Sequence, residues 1–338
     1  MRRNLLVGAG IAVALFAIVR MAGQLRKYDF RNKVVFLTGG SRGLGLALAR
    51  EAATRGAVIA ICGRDAATLD AAAADLHERG ATVLPIACDI RAEAQVAMAV
   101  RRVEERFGNI DVAIHNAGTI AVGPVETMTR EDYEDALASH FWAAHSLVTR
   151  VLPGMKHEGS GRIVLISSIG GKLSVPHLLP YSVSKFALAA FGEGLRAELA
   201  RYNIGVTTIF PGLMRTGSPR NAYFKSRHQA EYAWFALSDT LPFVSMPAKR
   251  AARQIFDATA HNRAEAVLSV PAKTAVTLHA LFPGITAGAL ALAARFMPQP
   301  GGVETERRTG AQSESAVTLS PLTALGRKAE REFNQLQR

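Results

Sequence analysis

Cysteine is scarce in this chain. Its 338 residues contain only Cys62 and Cys88. Both fall inside short apolar runs, which excludes a disulfide framework and points to small core hydrophobes in a reducing compartment. The nine histidines form no cluster with cysteine at ligand spacing, so no metal site is expected. Acidic residues are in deficit, 28 against 40 basic, for a net charge of +12. Such a balance raises nucleic acid as a partner, but no basic helix is interleaved with aromatics and much of the charge sits at the chain ends. No nucleic-acid partner is therefore expected. Disorder is excluded too, since 49% of the residues are apolar and only 20% charged. The length allows one large α/β domain with tails or two small domains, and the element pattern favours the first.

The N-terminal apolar run, Leu5 to Val19, is shorter than the ~20 residues that span a bilayer. Met21-Ala22-Gly23 extends it if Arg20 snorkels. Arg2, Arg3, Arg20, Arg26, Lys27, Arg31 and Lys33 flank it, as basic residues do beside anionic headgroups. Residues 1–27 are expected to form a membrane anchor with its basic juxtamembrane segment. A cleaved secretory signal is the rival reading, although no clear small-x-small cleavage site follows. Basic residues are more numerous on the C-terminal side, which places the following domain in the cytoplasm.

Beyond the anchor, apolar runs alternate with helical spacing. Val34 to Leu37, Ala57 to Cys62, Val83 to Cys88, Asp111 to His115, Arg162 to Ser167 and Gly205 to Phe210 read as buried strands. Leu44 to Arg55, Ala66 to Arg79, Glu93 to Phe107 and Tyr181 to Tyr202 read as helices. Alternation of this kind predicts an α/β fold, a Rossmann-type doubly wound parallel sheet, over residues 28–262. Ligands in such sheets bind at the carboxyl ends of the strands, where Gly39, Asp89, Asn116, Ser168 and Pro211 all fall.

The chemistry-bearing residues lie in that order. A glycine-rich turn, Thr38-Gly39-Gly40-Ser41-Arg42-Gly43-Leu44-Gly45, follows the first strand. Its glycines permit a tight turn, close backbone approach to a pyrophosphate at the helix N-terminus, and close helix–strand packing. Tyr181 and Lys185 stand one helical turn apart on one face, with Ser168 thirteen residues upstream of the tyrosine. Hydride transfer to a carbonyl leaves charge on oxygen, so a site needs a proton donor and a group to hold the alkoxide. Tyr181 is the expected donor and Ser168 the polarising hydroxyl. Lys185 is expected to lower the phenol pKa from its ordinary ~10.

With Asn116-Ala117-Gly118 and Pro211-Gly212 added, these motifs resemble the classical short-chain dehydrogenase/reductase family over roughly residues 30 to 262. The resemblance implies an oxidoreductase. It implies that Asp89 and Ile90 contact adenine, that Asn116, Ala117 and Gly118 lie against the adenosine side, that Pro211, Gly212 and Thr216 meet the nicotinamide carboxamide, and that Lys185 also binds the nicotinamide ribose. Thr38, Ser41 and Leu44 belong to the same cofactor turn. Arg64 after the second strand and Arg42 in the turn are two cations suited to a 2'-phosphate, so NADP(H) is expected over NAD(H). Asp65 is the exception, since a slip of one residue would bring an acid to the ribose. Where the family carries a relay asparagine, this sequence has His140. It is open whether that histidine supports the proton relay, marks a slowed enzyme, or is simply packed. Dimers or tetramers are the family's habit.

Residues 213–250, with Tyr223, Phe224, Tyr232, Trp234, Phe235 and Phe243, read either as a substrate lid or as a surface helix pair. The segment from Val267 to Met297 carries only Lys273 and Arg295 as charges and could pack on the domain, line the substrate entrance or lie in a membrane interface. Pro298 to Pro321 reads as a mobile linker and Ala324 to Arg338 as a charged amphipathic tail, completing a C-terminal helical extension over 263–338. The expected activity is NADP(H)-dependent interconversion of a lipophilic ketone or aldehyde and its alcohol. A catalytically weak dinucleotide-binding sensor or scaffold is the alternative.

Overall fold

In the strand sequences, β-branched and aromatic residues alternate between two apolar faces, and that alternation builds two cores. The computed structural model describes residues 27–336. The expected anchor over residues 1–27 lies outside them apart from Lys27. Seven strands form one all-parallel sheet: β1 (Val34–Thr38), β2 (Val58–Gly63), β3 (Val83–Ala87), β4 (Val112–His115), β5 (Gly161–Ile166), β6 (Ile204–Phe210) and β7 (Glu265–Val267). Their order is β3-β2-β1-β4-β5-β6-β7. It reverses direction at β1, so the loops after β1 and β4 diverge and leave a crevice at their carboxyl ends.

Helices fill the crossovers: α1 (Gly43–Thr54), α2 (Ala66–Glu78), α3 (Glu93–Phe107), α4 (Arg130–Leu137), α5 (Ala143–His157), α6 (Leu179–Leu199), α7 (His228–Thr240) and α8 (Ala248–Ala260). Val35, Leu37, Ile59 and Ile61 point to a core shared with Leu46 and Leu48 of α1 and Ile255 and Phe256 of α8. Val34, Phe36, Ala60 and Cys62 point the other way, onto Val100 of α3, Leu147 of α5 and Leu188 of α6. Both cysteines are buried and unpaired in the second core. The expected strands and the helices after β1, β2, β3 and β5 appear with their ends moved by a residue or a few. The seventh strand lies just past residue 262.

The region from 213 to 250 is ordered. Phe224, Tyr232 and Phe235 form a third core with Val122 and Leu178. Ala121–Val122, Tyr223–Phe224 and Arg308–Thr309 join in a three-stranded ribbon over it. Phe224, Tyr232 and Phe235, with Trp234 against them, therefore hold a cap together, whereas Phe243 is exposed, and the C-terminal extension supplies one of the cap's strands.

Here the linker expectation for 298–321 fails. Its many Ser and Thr residues suggest mobility, but their hydroxyls close local turns. Thr309 and Gln312 make a reciprocal cap, Ser313 Oγ donates to the Thr309 carbonyl, and Thr318 and Thr323 are buried. Arg307 pairs with Asp132 and Asp135, and Arg220 with Glu314. The segment is built into the cap, and α11 (Ala324–Glu332) follows it. Before it, α9 (Val270–Leu281) and α10 (Pro283–Ala294) form a hairpin. Among the described residues no helix is long and apolar enough to cross a membrane.

Candidate active site

Ser168 follows β5 by two residues and caps the short 3-10 turn Ile169–Gly171, accepting from the Gly170 N–H at 3.0 Å. Pro180 at the start of α6 suits the first helical turn and sets Tyr181 and Lys185 on its next face. Ser168 and Tyr181 lie close enough for the serine hydroxyl to influence the phenol. Tyr181 is half-buried. Burial pushes the phenol up to about 12, with Ser168 pulling it down and Asp239 adding to the rise. Lys185 lies 5.6 Å from the ring centroid and donates to the Ile166 carbonyl at 2.8 Å. Burial lowers its pKa to about 7. Burial is the largest influence on the tyrosine and raises its pKa, opposite to the lowering expected from Lys185.

His140 sits in a π-helical turn, Ala138–Trp142, between α4 and α5. Such turns, bonded i to i+5, widen the helix locally and occur often at functional sites. The ring stands edge-on to Tyr181 at 5.4 Å, and Nδ1 lies 2.7 Å from Ser184 Oγ. Ser184 gives its own hydrogen to the Tyr181 carbonyl, so Nδ1 carries the proton toward Ser184 and Nε2 is the acceptor. A Cβ at position 118 would lie 2.1 Å from that Nε2, so only glycine there leaves room for the imidazole. Burial and the nearby Lys185 hold His140 well below its usual pKa. His115, at the end of β4 and bonded to Thr38 Oγ1 at 3.2 Å, is lowered to about 3 by burial and Lys185.

Two neutral buried histidines make stability acid-sensitive. Below pH ~6.5 the unfolded chain takes up protons that folded His115 refuses until about pH 3. Stability should therefore fall as pH drops from about 6.5, at about 1.4 kcal/mol per pH unit for each such histidine. Urea unfolding between pH 7 and 4 should show this slope, and His115→Asn should remove one share of it. An unchanged slope would mean that His115 is protonated when folded.

The glycine turn lies beside the triad. A Cβ on Gly45 would sit 1.8 Å from the Gly39 carbonyl oxygen, so α1 can start against the turn only with glycine at 45. Thr38 Oγ1 accepts from the N–H groups of Asn116 and Ala117, and the Asn116 amide donates to the Gly39 carbonyl. The Asn-Ala-Gly turn thus braces the glycine turn. Asp65, the expected competitor of Arg64 at the ribose, caps α2 by accepting from Thr68 N–H at 2.8 Å. Arg64 is exposed beside it. Asp89 is paired with Arg91, and Ile90 is buried. Pro211 ends β6, its carbonyl receives the Ile169 N–H, and Thr216 Oγ1 donates to Ser218. These positions, Leu44 and Gly212 among them, gather around the carboxyl ends of β1 to β6.

Sequence reasoning missed two features. Asp239 of α7 is a buried acid near Tyr181, pushed up to about 7 by burial, although the Met214 N–H and Arg215 pull it down. Residues 333–335, at the end of α11, reach the glycine turn. No local pattern in the sequence announces either position.

A parallel sheet of this order, a glycine turn opening α1, and a Ser-Tyr-Lys set at the sheet's carboxyl edge together define a dinucleotide-type α/β oxidoreductase scaffold. The family described as short chain dehydrogenase matches residues 33–225, and the chain belongs to that family. Mouse dehydrogenase/reductase SDR family member 7B is 31% identical over 280 residues, covering 81% of this chain and 85% of the relative. L-sorbose reductase from Gluconobacter frateurii, solved with NADPH and L-sorbose, superposes with a TM-score of 0.64 at 26% identity, covering 72% of this chain and 97% of that one. Actinorhodin polyketide ketoreductase with NADPH gives 0.63 at 29% identity, covering 71% and 95%.

Proposed function

We propose that the protein is an NADP(H)-dependent oxidoreductase that interconverts a lipophilic ketone or aldehyde and its alcohol. The observation that carries this is the meeting of Ser168, Tyr181 and Lys185 beside the glycine turn. The bound dinucleotide would supply or accept the hydride. Gly39, Gly43, Gly45 and Leu44 would hold its pyrophosphate, and Arg42 and Arg64 its 2'-phosphate. Asp89, Ile90, Asn116, Ala117 and Gly118 would border the adenosine, and Pro211, Gly212 and Thr216 the nicotinamide.

Tyr181, protonated at neutral pH, would donate to the substrate oxygen as charge develops there. Ser168 would orient that oxygen. Lys185 and His140 lie behind Tyr181, on the side from which a replacement proton would come. Asp65 supports the NADP(H) preference, because its carboxylate is committed to capping α2 and Arg64 is left at the edge. Replacing both Arg42 and Arg64 with alanine should weaken NADPH binding about 10- to 100-fold while leaving NADH binding within about twofold, as expected for charge-assisted phosphate contacts. Equal losses for both dinucleotides, measured by titration, would remove these arginines from 2'-phosphate recognition.

The lipophilic substrate class is supported by the surface around the cap. A cavity of about 430 Å³ is walled by Pro124, Val175, Pro176 and Leu179 and by Ala294 and Pro298 at the end of the α9–α10 hairpin. The hairpin exposes Val270, Leu281, Phe282, Ile285 and Leu292, and Phe296 beyond it is 83% exposed. No acidic residue occurs between Glu265 and Glu304. We read this surface as resting on a membrane, with the N-terminal segment as anchor and the catalytic domain on the cytoplasmic side. The test is NADPH oxidation by the detergent-solubilised protein with lipophilic ketones and aldehydes, beside Tyr181→Phe. Binding without turnover across a broad panel would favour the sensor alternative.

A further inference from the structure

Three consecutive residues of the C-terminal tail take up backbone groups of the glycine turn and of the nicotinamide-side loop. The Phe333 carbonyl accepts the Gly43 N–H, the first amide of α1, at 2.9 Å. Asn334 Nδ2 donates to the Ser41 carbonyl at 3.3 Å, and Gln335 Nε2 donates to the Thr216 carbonyl at 3.1 Å. Gln335 is in turn held by Asn221, whose Nδ2 reaches its Oε1 at 2.7 Å. Over Gly43, the space that a missing Cβ leaves is filled by this carboxamide: a Cβ there would lie 2.7 Å from Gln335 Nε2 and no nearer than 3.9 Å to Thr216. Otherwise the cradle fits a diphosphate.

The tail is placed by a built connection. Ala329 and Phe333 are buried in the first core, Arg50 stacks over the Phe333 ring at 5.5 Å, and Arg50 also donates to the Glu332 carbonyl. Asn334, with φ of 53°, then turns the chain out of the α11 direction into the cleft. Gln335 is 3% exposed. The polar end of the tail is therefore a tenant of the cleft, whereas Phe333 is its root.

We infer that Asn334 and Gln335, with the Phe333 carbonyl, occupy the pyrophosphate position of the dinucleotide cleft and must withdraw, the Phe333 ring staying as the root, before a dinucleotide can bind. The tail is an internal competitor. The Phe333 carbonyl takes the Gly43 N–H that a pyrophosphate would need, and the two carboxamides donate to the Ser41 and Thr216 carbonyls, filling the space beside it. Apparent affinity for the dinucleotide is then reduced by the fraction of molecules with the tail withdrawn. This rests on the reading of the cleft as an NADP(H) site.

The test compares the full chain with Gln335→Ala and with an Asn334→Gly/Gln335→Ala double variant, both of which keep Phe333 and place no new carboxylate beside Gly43. NADPH binding is followed by its fluorescence, with 2'-AMP as a probe that carries the adenosine 2'-phosphate and no pyrophosphate. The double variant should bind NADPH about tenfold more tightly, Gln335→Ala should move the same way by less, and 2'-AMP should bind every form equally. In the full chain, NADPH should raise hydrogen exchange at residues 334 and 335. Equal or weaker NADPH binding by the double variant, or greater protection of the tail on binding, overturns the proposal alone. Binding of NADPH by no form overturns the cofactor reading and this proposal with it.

Discussion

Tyr181→Phe should lower kcat by about three orders of magnitude while NADPH binding stays within about twofold of the parent, because a positioned general acid contributes about 10²–10⁴. The phenyl ring keeps the contacts of Tyr181 with His140 and the third core, so only the hydroxyl is lost. Burial holds that hydroxyl protonated, with a pKa of about 12, while Ser168 pulls it down. A protonated phenol suits the reductive direction, in which an oxygen gains charge and needs a proton at once. Steady-state kinetics with any ketone the parent reduces, beside a binding titration, gives the result. If turnover survives, the proton comes from elsewhere, and Asp239, with a pKa of about 7 in the same enclosure, is the group to replace next. Loss of NADPH binding in the variant would instead assign Tyr181 to the cofactor's seat.

Asp132→Ala should remove about 3–5 kcal/mol of stability, the usual cost of leaving a buried charge without its partner. Lys225 is 1% exposed, and its ammonium meets Asp132 Oδ2 at 2.5 Å and the Thr127 carbonyl at 3.2 Å. The Asp132 carboxyl also closes the N-terminal cap of α4 with Thr129 and receives Arg307 at 2.8 Å. Burial pushes its pKa up, but Lys225, Thr129 and Arg307 outweigh that and hold it below the ordinary carboxylate range. One carboxylate thus ties α4, the strand pair at Phe224 and the C-terminal extension. Urea unfolding at pH 7 measures the loss, and faster proteolysis between residues 298 and 321 should accompany it. Arg307→Ala, removing a partner that is 25% exposed, should cost less, about 1 kcal/mol or below. A loss below about 1 kcal/mol for Asp132→Ala would mean that Lys225 finds water or another acceptor.

The catalytic sheet was legible because its signals are local. Buried parallel strands read as continuous apolar runs, and residues 34–37 or 205–210 need nothing distant to be recognised. A glycine turn is recognisable because steric demands such as that of Gly45 against the Gly39 carbonyl restrict which residues fit. The extension was harder to read. Ser, Thr and Gly from 298 to 321 have the composition of a linker, and the same hydroxyls become caps only when Arg307 has an acid to meet. The aromatics of 213–250 were visible, but whether they face a ligand or one another depends on Val122 and Leu178, which come from other loops.

By itself the sequence determined the parallel α/β scaffold, the position of the glycine turn, and the Ser168, Tyr181 and Lys185 set, since each follows from periodicity or from spacing within one element and its neighbour. Tertiary structure alone decided three further things. The environment of Tyr181 is set by enclosure, because desolvation depends on every atom packed around a group and outweighs the partner that sequence supplies. Asp65 is committed to a helix cap by the angle at which α2 starts. The tail from Phe333 to Gln335 reaches the glycine turn because Phe333 is buried beside Arg50, a contact across 283 residues of sequence that no local pattern encodes.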